Sequence, residues 1–309
     1  GQIMSTFLSF TTRNIKLFFK DLGLFLVSLI TPGILLILFV TFLGDVYKNS
    51  FMSIIEAFRL TASDKIINGL SGGQLVSSLL STSCVTVSFC SNMIMVQDKV
   101  YGMANDFTIS PVKRSTMALS YYVATFANTM IVCLFALGIC LIYLSCVGWF
   151  LSFADVMFIL LDVVLLALFG TALSSVINVF LSSQGQISAV GSVVSSTYGF
   201  LSGAYMPLSQ LPAWLNTFVS FLPGTYGTSL LRNHCLGSAF DAFVAECPSE
   251  QADLAEKAVE TMKNGVDCNI KFAGNVDVSV TGMFVILIGS VVVLIAAYVL
   301  INMLRKKKK

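Results

Sequence analysis

Gln97-Asp98-Lys99-Val100-Tyr101-Gly102-Met103-Ala104-Asn105-Asp106-Phe107-Thr108-Ile109-Ser110-Pro111-Val112-Lys113-Arg114-Ser115-Thr116 is a polar island between two long apolar runs. The run before it, about 70–96, and the run after it, about 117–145, each exceed the roughly 20 apolar residues that cross a bilayer. A short charged insert between two such runs is a loop at one membrane face. It is also too small to be a catalytic domain.

Working outward, the composition agrees with a membrane protein. Of the 309 residues, 56% are hydrophobic and 11% charged, with a mean hydropathy of +0.86, values outside the range of soluble domains. Four further stretches complete a set of six spans, at about 22–44, 156–181, 186–205 and 280–304. Six spans place both termini on one side. Lys and Arg are retained on the cytoplasmic face, and Arg13, Lys16, Lys20, Lys99, Lys113, Arg114 and the run from Arg305 to Lys309 fall on that side. The turn Ser182–Gly185 on the same side carries no charge, while Arg232–Val280 on the other carries eight acidic residues against four basic ones. The termini and the insert are therefore expected inside, in a multi-pass protein of the plasma membrane. The formal charge of +2 conceals this asymmetry and gives no basis for a nucleic-acid partner; the basic tail is expected to touch anionic lipid.

The insert, with Tyr101-Gly102-Met103 after its first charges and Ser110-Pro111-Val112-Lys113-Arg114 near its end, resembles the cytoplasmic loop of ABC-2 type permeases, the membrane subunits of ATP-driven exporters. A second resemblance follows the fifth span. Gly203-Ala204-Tyr205-Met206-Pro207, Leu211-Pro212-Ala213-Trp214-Leu215 and Leu222-Pro223-Gly224-Thr225-Tyr226 look like the re-entrant outer element that caps the exit in that family. Three prolines with flanking glycines preclude one continuous helix, and two short helices dipping into the outer leaflet are expected over 205–231, carrying Pro207, Pro212, Trp214 and Pro223.

The resemblance implies an all-α membrane fold of six transmembrane helices with an N-terminal amphipathic interface helix, a cytoplasmic coupling helix, re-entrant outer helices and a small extracellular cap. It implies that Gln97, Asp98, Lys99, Tyr101, Gly102, Asn105, Asp106 and Phe107 dock a separate ABC ATPase subunit. It implies a second permease chain, identical or similar. ATP and Mg belong to the ATPase, no cofactor is bound by this chain, and the chain is a transport subunit rather than an enzyme. The insert departs from the family pattern where glutamates are usual, since Gln97-Asp98 and Asn105-Asp106 stand in their place.

By segment, residues 1–3 ahead of Met4 read as a cloning remnant and 4–21 as the interface helix. Residues 22–231 read as the transmembrane part, 232–279 as the cap, and 280–309 as the sixth span with its basic tail. In the interface helix Met4, Phe7, Leu8, Ile15 and Phe18 share one face while Ser9, Arg13, Lys16 and Lys20 share the other. It serves either as a membrane anchor alone or as a helix packed beside the insert. The first apolar run is longer than a signal h-region, so no cleavable signal peptide is expected. Pro32 is expected to kink the first span.

Leu70-Ser71-Gly72-Gly73-Gln74 spells the LSGGQ signature of ABC ATPases, but no Gly-Lys pair of a phosphate loop exists in the chain. It is read as a small-residue helix start at the outer face. Asp162 is the one acid well inside a predicted span, about 10 Å from its outer end. Either an interhelical hydrogen bond to Ser, Thr or Asn satisfies it, or it serves substrate or protons. Asn128 and Asn178 read as interhelical hydrogen-bonders. The small-residue stripes of the fifth span favour close packing or the lining of a passage with Tyr198, Phe200 and Leu201 at its constriction. Pro248–Lys263 reads as a cap helix stopped by Asn264-Gly265. Among Cys235, Cys247 and Cys268 one disulfide is expected, with its pairing open, and the single histidine, His234, falls short of a metal site.

The favoured reading is the permease of an ABC exporter for an amphipathic or hydrophobic cargo, such as a drug, antibiotic peptide or lipid-like molecule. The alternative is an ion-coupled secondary transporter or channel, for which intramembrane charges and internal repeats are scarce. A membrane enzyme ranks third, for want of a nucleophile and base pair.

Overall fold

A computed structural model describes residues 2–103 and 114–304, which form a helical bundle with one small hairpin. The amphipathic helix α1 is Gln2–Lys20, starting ahead of Met4. Asp21 caps the next helix by accepting from the Leu24 N–H at 3.1 Å. That helix runs as α2, Leu22–Leu38, through a π-helical turn, Phe39–Leu43, into α3, Gly44–Ala57. The helix continues past the buried Pro32, and a further irregularity is the π-helical turn. The remaining helices are α4 (Asp64–Val100), α5 (Arg114–Val147), α6 (Phe153–Phe180), α7 (Gln184–Leu201), α8 (Ala213–Val219), α9 (Pro223–Glu246), α10 (Ala252–Gly265) and α11 (Val280–Leu304). Between α10 and α11, β1 (Ile270–Phe272) pairs antiparallel with β2 (Val276–Val278) in the register Ile270↔Val278, Lys271↔Asp277, Phe272↔Val276. Ala273 and Gly274 turn it with φ of 50° and 79°. The sequence reading contained no strand.

Among the described residues, five helices are long and apolar enough to cross a membrane: Leu22–Ala57, α4, α5, α6 and α11. The expected fifth span corresponds to α7, 18 residues long, which is richer in Ser and Gly and is not among those five.

Helix α4 is the hub. Every residue from Gly69 to Val96 is buried, with α2, α5, α6, α7 and α9 packed around it. A helix so rich in Ser and Thr can occupy an apolar core because its hydroxyls bond back to its own carbonyls. Thr82 donates to Ser78 O at 2.9 Å, Ser83 to Leu79 O at 2.7 Å and Thr86 to Thr82 O at 2.9 Å. The LSGGQ stretch does not begin this helix, which starts six residues earlier at Asp64. Its glycines serve packing: a methyl on Gly73 would lie 2.9 Å from the Cys235 carbonyl oxygen of α9.

The α4–α6 contact is a close backbone approach. A Cβ at Gly170 would meet Cys84 O at 2.9 Å and Val85 Cα at 3.1 Å, atoms of a helix that cannot yield locally. Gly170→Ala is expected to cost about 1–3 kcal/mol by overpacking. Gly138→Ala, where nothing lies within 4 Å, is expected to be neutral or slightly stabilising. Thermal unfolding of both variants in mild detergent measures the difference.

Candidate functional site

The polar insert begins where α4 ends. Tyr101 N–H donates to Gln97 O at 2.9 Å, and Gly102, with φ of +80°, supplies the left-handed residue that stops the helix. Asp98, 2% exposed, does not face outward. It accepts two parallel bonds from Arg13 of α1, at 2.8 and 2.9 Å, and a third from the Tyr121 hydroxyl of α5 at 2.5 Å. Such a forked pair is both strong and directional. Hydrogen bonding to Asp98 raises Arg13 above its ordinary pKa, against the opposing effect of partial burial. Lys99 Nζ donates to Asn178 O at 3.1 Å and Val179 O at 3.2 Å, placing a cation on the C-terminal carbonyls of α6.

Asp98 and Lys99, expected as docking contacts, thus act within the chain, tying the insert to α1, α5 and α6. Tyr101 is 66% exposed and Gly102 has open space around it. Asn105, Asp106 and Phe107 lie outside the described residues, as does the basic tail from Arg305.

Tyr198, Phe200 and Leu201, expected at a constriction, and Asp162, expected either in an interhelical hydrogen bond or on a substrate or proton path, have different surroundings. Tyr198 turns its hydroxyl into the bundle against Gly224 of α9, where that oxygen has no hydrogen-bond partner among the described residues. Phe200 is half exposed and packs edge-on against Tyr205, ring centroids 5.0 Å apart. Leu201 offers its carbonyl to the Thr225 hydroxyl at 3.3 Å. Asp162, fully buried in α6, meets none of the Ser, Thr or Asn partners expected for it. Its partner is His234 Nδ1, 2.5 Å from Oδ2. Asn178 likewise leaves its side-chain amide nitrogen without a partner among the described residues, while Asn128 donates to Ser91 at 2.8 Å as expected.

At the opposite end of the bundle the proline-rich element turns at Gly203, φ +74°, and forms one 3-10 turn at Leu208–Gln210 after Pro207. Pro212 caps the seven-residue α8, whose Trp214 is 73% exposed, and Pro223 opens α9. Instead of a second short helix, α9 runs unbroken for 24 residues past 231 to Glu246. It thereby crosses the expected boundary between membrane part and cap. Arg232 and His234, placed outside by sequence, are consequently carried against the bundle.

Arg232 is 1% exposed and pairs with Asp267 of the cap at 3.1 Å while also donating to the Gly203 carbonyl. Asp267, held at a left-handed φ of 57°, also accepts from Leu208 N–H at 2.8 Å. One carboxylate therefore pins three segments together: the turn after α7, α9 and the cap. Burial pushes the Asp267 carboxyl above its ordinary pKa, and Arg232 with the backbone N–H groups of Leu208 and Ser209 pulls it back.

None of the eight cysteines is disulfide-bonded. Cys235 and Cys268 are buried, and burial pushes the Cys268 thiol up to about 12, a poor nucleophile for exchange. The expected bridge among Cys235, Cys247 and Cys268 is absent from the structure. Among the described residues no cluster could hold a metal ion.

Sequence reasoning missed Arg13, Tyr121, Arg232, His234 and Asp267 as partners. The absence of a proline between Pro223 and Pro248 was the available sign that α9 continues through Arg232. No curated protein and no solved structure matches the chain. The family model for ABC-2 type transporter matches residues 5–235, three quarters of the chain, from α1 through the insert and α5 to α8 into α9. This multi-pass membrane protein belongs to the ABC-2 type transporter family, whose members are transport subunits that generally work with an ATPase partner.

Proposed function

We propose that the chain is the permease of an ATP-driven exporter, with its insert docked on a cytoplasmic ABC ATPase and two permease chains surrounding the path. ATP and Mg reside on the ATPase. In this reading α7 completes six crossings, both termini are cytoplasmic, and the cap end faces outward in the plasma membrane. The cargo is an amphipathic or hydrophobic molecule, a reading supported by the apolar, weakly charged spans.

The observation that carries the proposal is the anchoring of the insert. It is joined to α1 through Asp98 and to the end of α6 through Lys99, yet it presents an exposed tyrosine, Tyr101, just past the end of α4. Exposed Tyr is the kind of residue that dominates interfaces when it becomes buried. A surface rigidly joined to three helices can pass force into the bundle.

Purification in mild detergent from native membranes, followed by native mass spectrometry, is expected to give two permease chains with two ATPase chains. Tyr101→Ala and Gly102→Val are expected to lower ATPase retention at least about tenfold, equivalent to about 1.4 kcal/mol of docking, while membrane insertion is preserved. A wild-type chain that retains no ATPase and transports under an ion gradient overturns the proposal.

A further inference from the structure

The contact between Asp162 and His234 has no part in docking or in the exit pin, yet it seals a carboxylate completely inside the bundle with a histidine as its partner. Asp162 is fully buried, its Oδ1 has no hydrogen-bond partner among the described residues, and its Oδ2 lies 2.5 Å from His234 Nδ1. The imidazole is stacked on Phe158 at 4.9 Å with an interplanar angle of 13°, and Phe284 of α11 closes the other approach at 6.0 Å. Its side chain is 14% exposed, whereas the carboxylate is sealed. The seam continues towards the cap end. Asp155 lies two turns before Asp162 on α6, and Ser238 one turn after His234 on α9; the Ser238 hydroxyl donates to Asp155 at 2.5 Å.

The groups facing the pair are few. They are Asp155 on α6, Cys235 on α9 and Cys84 on α4. Among the described ion pairs none brings a lysine or arginine to either residue. The charge on Asp162 is therefore balanced within the pair or not at all.

We propose that Asp162 and His234 form a binding site for one proton, and that this proton clasps α9, the helix leading from the exit element to the cap, against α6. With one proton shared, the pair is net neutral whether the proton sits on the carboxylate or on the imidazole. With the proton lost, a sealed carboxylate is left with an unbalanced charge, which is strongly unfavourable in a medium of low dielectric. The clasped arrangement therefore holds the proton more tightly than an opened one. Its contribution is present at low pH and is lost as pH rises through the titration of the clasped pair. The ratio of clasped to opened forms changes by at most about tenfold per pH unit for one proton.

The test is thermal unfolding of the purified chain in detergent as a function of pH, which needs neither ATPase nor cargo and so can fail without touching the export reading. Wild type is expected to lose stability towards alkaline pH. Asp162→Asn removes the group that becomes charged on that side but leaves a histidine without a counter-charge. Its curve is expected to cross that of wild type, more stable in alkali and less stable in acid. His234→Gln, which keeps an amide donor without a titrating ring, is expected to move the alkaline limb along the pH axis. Should the Asp162→Asn substitution prevent folding, this second variant still decides the matter. Curves displaced uniformly, with the wild-type pH dependence retained in every variant that folds, would reduce the contact to an ordinary hydrogen bond and overturn the proposal.

Discussion

Asp267→Ala is expected to be the most damaging single substitution outside the helix core, costing about 3–5 kcal/mol. Removing the carboxylate leaves Arg232, 1% exposed, without its ion-pair partner. It also deprives the Leu208 N–H of its acceptor. Two measurements check this: the unfolding temperature in detergent, and the rate at which protease cleaves within 249–265, which should rise as the cap detaches. The control is Arg232→Met combined with Asp267→Leu. A buried ion pair replaced by apolar groups of similar volume is often neutral or stabilising, so the double variant should recover most of the loss. If it is as unstable as Asp267→Ala, the ion pair is not what holds the cap.

The second large effect is an asymmetry at the docking end. Arg13→Ala leaves Asp98, 2% exposed, without the guanidinium that neutralises it, whereas Asp98→Ala lets Arg13, 29% exposed, regain water. Arg13→Ala is therefore expected to cost about 2–4 kcal/mol, below the range for fully buried pairs, and Asp98→Ala no more than about half of that. Loss of ATPase retention should follow the same order, because an unsupported Asp98 moves the insert. Equal effects, or a worse outcome for Asp98→Ala, would place Asp98 at the partner interface instead.

Those two pairs show where the sequence was legible and where it was not. The insert, the amphipathic α1 and the long apolar helices follow from hydropathy and charge alone, since each is a local property. Arg13 and Asp98 stand 85 positions apart, and no spacing rule joins them. Helix α9 was misplaced for a physical reason. Arg232, Asn233 and His234 are residues that water solvates best, and hydropathy assigns such a run to the outside. Here each is compensated inside: Arg232 by Asp267, Asn233 by the Cys268 carbonyl at 2.7 Å, His234 by Asp162. Polarity that is paired within the fold cannot be told from polarity facing solvent without its partner. The ring of Tyr198 suits a constriction as well as a packed seam, and the close approach of its hydroxyl to the bare Cα of Gly224 could not be read from spacing.

Helix α4 contains no proline and runs 37 residues from Asp64 to Val100, about 55 Å at the usual rise per residue. One end carries Asp98 and Lys99, and the other lies against the backbone of α9 at Gly73. Sheathed by neighbours along its length, it has nowhere to buckle. A displacement imposed at Tyr101, just past its C-terminal end, is expected to reach the far side nearly undiminished, since the 37-residue helix carries no proline at which to hinge. Two distant surfaces of the molecule are thus geared together by a single covalent strut, and lengthening it by one residue would turn its far end by about 100° and disengage the gears while leaving both surfaces intact.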